Sequence, residues 1–157
     1  MENNKETKYR VSGKIEHKLS YCGGARPSPE TIKKYKAPRP LEQFKIYIKH
    51  GTKNTDSATV VDSTVTNDLG EYSFSLPPGE YILLGPSQLN RPALNQILNQ
   101  QDLLVADENC LEKWFAKGLL SFVVKDRSIT ELNHLIIKKC NVPEGIPCLR
   151  YTGKHRP

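Results

Sequence analysis

An alternating segment flanked by two turns constrains the fold more than any other part of the chain. Within residues 64–84, TVTNDLGEYSFSLPPGEYILL, the side chains of Tyr72, Phe74 and Leu76 alternate with polar residues. A period of two places the bulky side chains on one buried face of a β-strand. An Asp-Leu-Gly turn precedes this strand and a Pro-Pro-Gly turn follows it. Strands separated by tight turns predict a small antiparallel sandwich.

The rest of the chain supplies enough strands for two packed sheets. Val11 and Ile15 mark a first strand, and Ile46 and Ile48 alternate with polar residues in a second. The predicted strands lie at residues 9–19, 43–50, 58–66, 71–76, 80–84, 119–125 and 132–140. Capping residues and helical spacing predict short helices at residues 29–36, 92–99 and 107–117. We therefore expect an all-β, seven-stranded antiparallel β-sandwich with a short helical insertion.

The length of the chain suits one domain. Its 157 residues are enough to bury a core. We expect a flexible N-terminal tether at residues 1–8 and a sandwich at residues 9–140. The helical insertion occupies about residues 87–118, and an extended tail follows at residues 141–157. No internal repeat divides the chain further.

The positive charge is spread over the chain. The formal net charge is +6, from 23 basic and 17 acidic residues. Nucleic-acid binders concentrate basic residues and interleave aromatic ones, and only residues 33–36, which include Tyr35, approach that pattern. We therefore expect no nucleic-acid partner. A solvated lysine-rich surface explains the charge, and attraction to an acidic envelope surface is the alternative.

The sequence contains no segment that predicts a membrane-spanning helix. It has no run of about 18 apolar residues. The first ten residues, MENNKETKYR, lack the apolar stretch of a signal peptide. Either the protein is cytosolic, or an export signal has been removed and Met1 added. The polar residues 2–8 would suit a tether behind a cleaved or lipid-modified end, which would give a peripheral or lipid-anchored membrane association.

Four cysteines define the clearest candidate site. Cys22, Cys110, Cys140 and Cys148 include no CxxC pair, and four cysteines allow three pairings. In an exported protein they are compatible with two disulfides, whereas in the cytosol they would be thiols or metal ligands. The metal alternative is a zinc or copper site that combines Cys22, Cys140 and Cys148 with His134. We expect no other cofactor.

Two motifs resemble a known family. The segments Thr66-Asn67-Asp68-Leu69-Gly70-Glu71-Tyr72 and Leu76-Pro77-Pro78-Gly79-Glu80-Tyr81, with Gly13 in the first strand, are similar to the carboxypeptidase regulatory-like domain. That family has a transthyretin-like (prealbumin-like) seven-stranded sandwich with a TD-x-G-x-[YF] turn followed by LPPG-x-Y. Asn67 takes the place of the threonine. The match covers roughly residues 9–84 and transfers no biochemical activity.

The wider layout resembles small exported proteins of Bacteroidetes bacteria. Their SYCGGARPSPE-like segment follows the first strand, and an IPCLRYTG-like segment lies near the end, as in this chain. The resemblance implies export to the periplasm, outer membrane or cell surface. Some related sandwiches form a Lys–Asn isopeptide bond between their first and last strands. Lys14 and Asn133 occupy such positions, but no acid follows Tyr81 where the family places one.

No catalytic signature emerges from the sequence. It contains no Ser/His/Asp signature, HExxH motif, P-loop or Rossmann fingerprint. We therefore expect a non-catalytic binding or structural module of the bacterial cell envelope. It would contact an envelope protein or a glycan through its loops and helical insertion. The candidate partner-binding residues are Tyr35, Trp114, Phe115 and Tyr151. The alternative is a metal-binding or thiol-redox protein.

Overall fold

Two β-sheets packed face to face form the body of the protein. The computed structural model describes residues 6–100, 104–140 and 142–153. The strands are β1 (Tyr9–Leu19), β2 (Arg39–Pro40), β3 (Lys45–His50), β4 (Val60–Val65), β5 (Glu71–Leu76), β6 (Gly79–Leu84), β7 (Leu104–Ala106), β8 (Leu120–Val124), β9 (His134–Lys138) and β10 (Leu149–Tyr151). The α-helices are α1 (Pro29–Lys36), α2 (Arg91–Asn99) and α3 (Glu108–Lys117). Short 3₁₀ helices lie at Pro86–Gln88 and Pro143–Gly145.

The first sheet is built around the long strand β1. One edge of β1 pairs antiparallel with β5 and then with β2, and the other edge pairs with β9. The β1–β9 pairing is parallel, so the prediction of a strictly antiparallel sandwich is wrong. The reason lies in the connection from β8, which meets β1 near its beginning. There Ile129 exchanges backbone hydrogen bonds with Arg10 and Ser12, so β9 must then run in the direction of β1.

The second sheet has the order β4-β3-β6-β8 and is antiparallel throughout. Each of the seven predicted strand segments contains a strand, but three short strands bring the described total to ten. The predicted alternation in β5 is confirmed, because Tyr72, Phe74 and Leu76 are buried and the residues between them are exposed. The core between the sheets comprises Val11, Ile15, Ile46, Ile48, Tyr72, Phe74, Leu76, Tyr81, Leu83, Phe122, Val124 and Ile136.

The helical insertion has a small hydrophobic core of its own. Its buried residues are Leu94, Leu111, Phe115, Ile146 and Leu149. Two of these, Ile146 and Leu149, come from the segment that the sequence predicts as an extended tail. Within that segment β10 pairs antiparallel with β7, because its apolar residues complete the core of the insertion. The ends of the predicted tether and tail, residues 1–5 and 154–157, lie outside the described residues.

Local signals set the ends of helix α3. The side chain of Asp107 accepts a hydrogen bond from the backbone N–H of Cys110 at 3.1 Å, as an N-cap does. Gly118 ends the helix with a φ of 65°, a conformation that favours glycine. Among the described residues, no helix has the length and apolar character needed to span a bilayer.

Candidate interaction surface

The four cysteines form two disulfides. Cys22 pairs with Cys140, which joins the segment after β1 to the segment after β9, and Cys110 pairs with Cys148, which joins α3 to the segment before β10. The metal-binding alternative is therefore wrong, because no cysteine remains as a thiolate ligand. Nor do the described His, Cys, Asp and Glu residues form a group of three that could hold a metal ion.

His134 lies at the start of β9 and opposite Ile15, whereas Cys140 follows the other end of that strand. Burial lowers the pKa of this imidazole, and the nearby Lys117 lowers it further. Both effects favour the neutral ring at physiological pH. The structure therefore places His134 in the first sheet, as the first residue of β9.

The aromatic candidates do not form one exposed patch. Phe115 is only 4% exposed and belongs to the core of the insertion, where the Arg91 guanidinium lies 4.9 Å from the centre of its ring. Trp114 is half-buried and packs against the same core. Tyr35 on α1 makes an edge-on contact with Tyr21, and Tyr151 lies half-buried in β10. The rings on the insertion mainly stabilise it.

A buried polar cluster, which we call the polar clamp, joins the insertion to the second sheet. It consists of Lys49 on β3, Asn54 in the following loop and Gln88 in the 3₁₀ helix after β6, which are 2%, 3% and 0% exposed. The Lys49 ammonium donates to Asn54 Oδ1 at 3.0 Å, to the Thr55 carbonyl at 2.9 Å and to the Leu89 carbonyl at 2.7 Å. All three of its N–H donors are thereby satisfied.

Asn54 connects this lysine to the insertion. Its amide nitrogen donates to the backbone carbonyls of Gln88 at 2.6 Å and Phe115 at 3.1 Å. Gln88 Nε2 in turn donates to the carbonyl of Trp114 at 3.2 Å. Burial lowers the pKa of Lys49, although nearby Asp56 acts in the opposite direction. The groups of the clamp are committed to one another, so its role is to position the insertion.

Sequence reasoning missed this cluster. It placed Lys49 among the outward-facing residues of an alternating strand, and that assignment is geometrically correct for β3 alone. The insertion then covers that part of the outer face and buries the ammonium. No local signal in the polar loop at residues 51–57 marks Asn54 as buried, because the carbonyls to which its amide donates lie 34 and 61 residues away in sequence.

A second polar feature lies open on the opposite sheet, and we call it the outer groove. It has a volume of about 550 Å³ on the outward face of β1 and β5, next to the end of β4 and the loop before β9. Its lining is mostly polar, and among the described residues it contains no histidine or cysteine. It comprises Arg10, Ser12, Gly13, Lys14, Thr64, Val65, Asn67, Glu71, Tyr72, Ser73, Thr130, Glu131 and Asn133.

Backbone hydrogen bonds fix the orientation of two amide side chains in this groove. Asn67 Oδ1 accepts from the backbone N–H groups of Leu69 at 3.0 Å and Glu71 at 2.9 Å, which is an Asx turn. Asn133 Oδ1 accepts from the backbone N–H of Lys14 at 2.9 Å. Because the oxygens are held, each amide nitrogen is left to donate elsewhere. The structure thus brings the Asn133 side chain against the backbone of Lys14.

The charged side chains of the outer groove are also uncommitted. Arg10 and Lys14 supply two cations, and Glu71 and Glu131 supply two carboxylates. None of the four forms an ion pair within the described part of the chain. The groove therefore combines oriented amide donors, charges of both signs that form no ion pair within the described residues, and hydroxyl groups, while its lining carries no net formal charge.

Comparisons with known proteins reveal only distant structural similarity. No protein-family model and no curated protein sequence matches this chain. A mutant of the shaft pilin SpaA from Lactobacillus rhamnosus GG is 14% identical, covers 85% of this chain and 52% of its own, and superposes with a TM-score of 0.47. This chain thus spans about half the length of that pilin. The N-terminal domain of SpaA is 15% identical over 96% of this chain and 100% of its own, with a TM-score of 0.38. An (S)-allantoin synthase is 12% identical over 81% of this chain and 41% of its own, with a TM-score of 0.36.

Proposed function

We propose that this protein is a non-catalytic binding module of the bacterial cell envelope and that it contacts a glycan through the outer groove. One observation carries the proposal, namely the groove's set of uncommitted donors and acceptors, two of which are oriented by the backbone. Side chains held in place before binding lose less entropy when a ligand arrives. The sequence favoured the insertion as the contact surface, but its aromatic rings pack largely inward.

Several features support an exported protein of the transthyretin-like class. Two disulfides are typical of oxidising compartments such as the periplasm or the cell surface. The two sheets, β5-β1-β9 and β4-β3-β6-β8, pack as a sandwich. The two turn motifs that resemble the carboxypeptidase regulatory-like domain lie on either side of β5. We therefore propose membership of that group. We also propose that the protein is attached to a membrane peripherally or through a lipid anchor.

The chemistry of the outer groove favours a glycan over a protein. A sugar hydroxyl both donates and accepts hydrogen bonds, so it suits a lining that mixes amides, hydroxyls, cations and carboxylates. Protein interfaces instead depend on exposed aromatic and apolar anchors. The groove offers Val65 as an exposed apolar side chain, whereas its aromatic residue, Tyr72, is buried and donates its hydroxyl to the Leu132 carbonyl. A nucleophile with a neighbouring histidine base is absent from the described lining, which supports a non-catalytic role.

Blocking the groove tests this function. Ser73 points outward from the middle of β5, so Ser73→Trp would fill the groove without disturbing the core. The matched control is Ser121→Trp, on an exposed outward position of β8 in the other sheet. We expect wild type and control to be retarded in native gels that contain a neutral or amphoteric bacterial envelope polysaccharide. The groove variant should bind at least about tenfold more weakly.

Two outcomes would overturn the proposal. The first is that no glycan in a panel of purified envelope polysaccharides and peptidoglycan fragments retards the wild-type protein. The second is that Ser73→Trp and Ser121→Trp bind equally well. Capture of an envelope protein that Ser73→Trp abolishes would keep the groove as the contact surface but replace the glycan with a protein partner.

A further inference from the structure

Strand β4 presents a free edge that carries three exposed valines. Within the described residues it pairs on one side only, with β3. Its sequence, VVDSTV, contains neither lysine nor proline, and its protection is limited to one β-bulge and the carboxylate of Asp62. Three of its residues, Val60, Val61 and Val65, are large apolar side chains exposed to solvent. A strand of this kind is a template for pairing with another strand.

A β-bulge arranges these valines on the strand. The register moves between Ile48 and Lys49, so that Val60 lies opposite Lys49 while Asp62 lies opposite Ile48, which leaves Val61 as the extra residue. Beyond the bulge the ladder is regular, with Ser63 opposite Tyr47. Residues opposite each other project to the same face, so Val60, Ser63 and Val65 all share the outward face of the sheet.

The exposed edge is complementary to a second copy of itself. If two β4 strands pair antiparallel about a two-fold axis at Ser63, then Ser63 lies opposite Ser63 and Asp62 lies opposite Thr64. Val65 of each copy then faces the bulged pair Val60 and Val61 of the other. β-Branched side chains meet β-branched side chains, and no like charges meet. An axis at Asp62 would instead oppose two carboxylates, and a one-residue slip would oppose inward-facing with outward-facing residues.

We propose that β4 is a self-association edge, and that two copies of the chain pair β4 to β4 in this register. The second sheets of both copies then form one continuous sheet across the two-fold axis. This inference is independent of what the outer groove binds. Thr64 and Val65 of β4 also line the outer groove. The pairing therefore places one groove beside the seam in each copy.

A pair of lysine substitutions tests the edge. Val65 on β4 and Val123 on β8 are both 47% exposed and lie on the two opposite edge strands of the same sheet. We expect wild type to sediment as a dimer at about 100 µM, and Val65→Lys to weaken dimerisation at least tenfold, because it introduces a charge at the seam. Val123→Lys should leave the dimer unchanged. Thermal melts followed by circular dichroism check that each variant is folded.

A cysteine substitution tests the register. Residues directly opposite each other in an antiparallel pair have Cα atoms about 4.5–5.5 Å apart, which a disulfide can bridge. Ser63→Cys should therefore form a covalent dimer on mild oxidation, seen on non-reducing gels, while Ser121→Cys on β8 should not. A monomeric wild type at that concentration, a dimer that survives Val65→Lys, or equal cross-linking of the two cysteine variants would overturn the proposal. Capture of a foreign strand by a monomeric chain would overturn it too.

Discussion

Removing the central amide of the polar clamp should destabilise the protein strongly. Asn54→Ala deletes one acceptor of the Lys49 ammonium and both donors that reach the carbonyls of Gln88 and Phe115. The site is 3% exposed, so water cannot readily replace these partners. Each buried group left unsatisfied costs about 1–3 kcal/mol, more when it is charged. Allowing for partial relaxation, we expect the free energy of unfolding to fall by roughly 3–5 kcal/mol.

Lys49→Met should cost less, although it removes the charge and three hydrogen bonds. Methionine fills a similar volume and takes no unpaired charge into the interior. It leaves Asn54 Oδ1 and the carbonyls of Thr55 and Leu89 without this donor. A buried acceptor without a partner is less costly than a buried ammonium that lacks one of its hydrogen-bond acceptors. We expect a loss of roughly 1–2 kcal/mol, so the order of the two variants is itself a test.

Urea unfolding followed by far-ultraviolet circular dichroism measures both effects through the transition midpoint and slope. The matched control is Asn109→Ala, at an exposed position on α3, which should change the free energy of unfolding by less than about 0.5 kcal/mol. The reasoning fails if Asn54→Ala behaves like the control, or if Lys49→Met is the more destabilising of the two. The first result would mean that the ammonium does not depend on Asn54, and the second would mean that losing the ammonium costs more than leaving it incompletely paired.

Two further predictions concern the ends of the first sheet. Replacing both Cys22 and Cys140 with serine removes a cross-link between residues that are 118 positions apart. The free energy of unfolding should fall by an amount that approaches the chain-entropy value of roughly 5 kcal/mol. A urea midpoint unchanged from wild type would contradict this prediction. Burial first, then Lys138 and Arg39, lower the pKa of His17, so the unfolded chain binds its proton at a higher pH than the folded one. The free energy of unfolding should therefore fall as the pH drops below about 6.5. His17→Gln should reduce that fall, which urea titrations at pH about 7.5 and about 5.5 would measure. An equal fall in wild type and variant would refute the prediction.

Local sequence signals predicted the elements that make their own hydrogen bonds or bury one periodic face. The alternation of Tyr72, Phe74 and Leu76 predicted β5. Helix α1 begins and ends where the sequence predicts, because Ser28 caps it and Pro29 suits its first position. These signals act over a few residues, and tertiary packing did not override them.

The features that the sequence did not reveal depend on distant partners. Strands β7 and β10 have three residues each, too few to show a period, and they form because each completes the other. The parallel direction of β9 follows from where its connection crosses β1. The three cysteine pairings were equivalent in the sequence, and only the positions of the strand ends distinguish them. For the candidate site, the turn motif containing Asn67 was recognised as a signature of the fold, whereas its contribution to a groove depends on the placement of Asn133.

The bond between Cys22 and Cys140 also determines how the protein would respond to a mechanical load. It links the far ends of two parallel neighbouring strands, β1 and β9. Tension applied at residue 9 and beyond residue 140 would pass along β1, cross the sulfur atoms and leave through the tail. The 118-residue span between the two cysteines, which could otherwise extend by about 400 Å, would carry no force. Under such a load, the sandwich would therefore behave as a nearly inextensible unit until that bond is reduced.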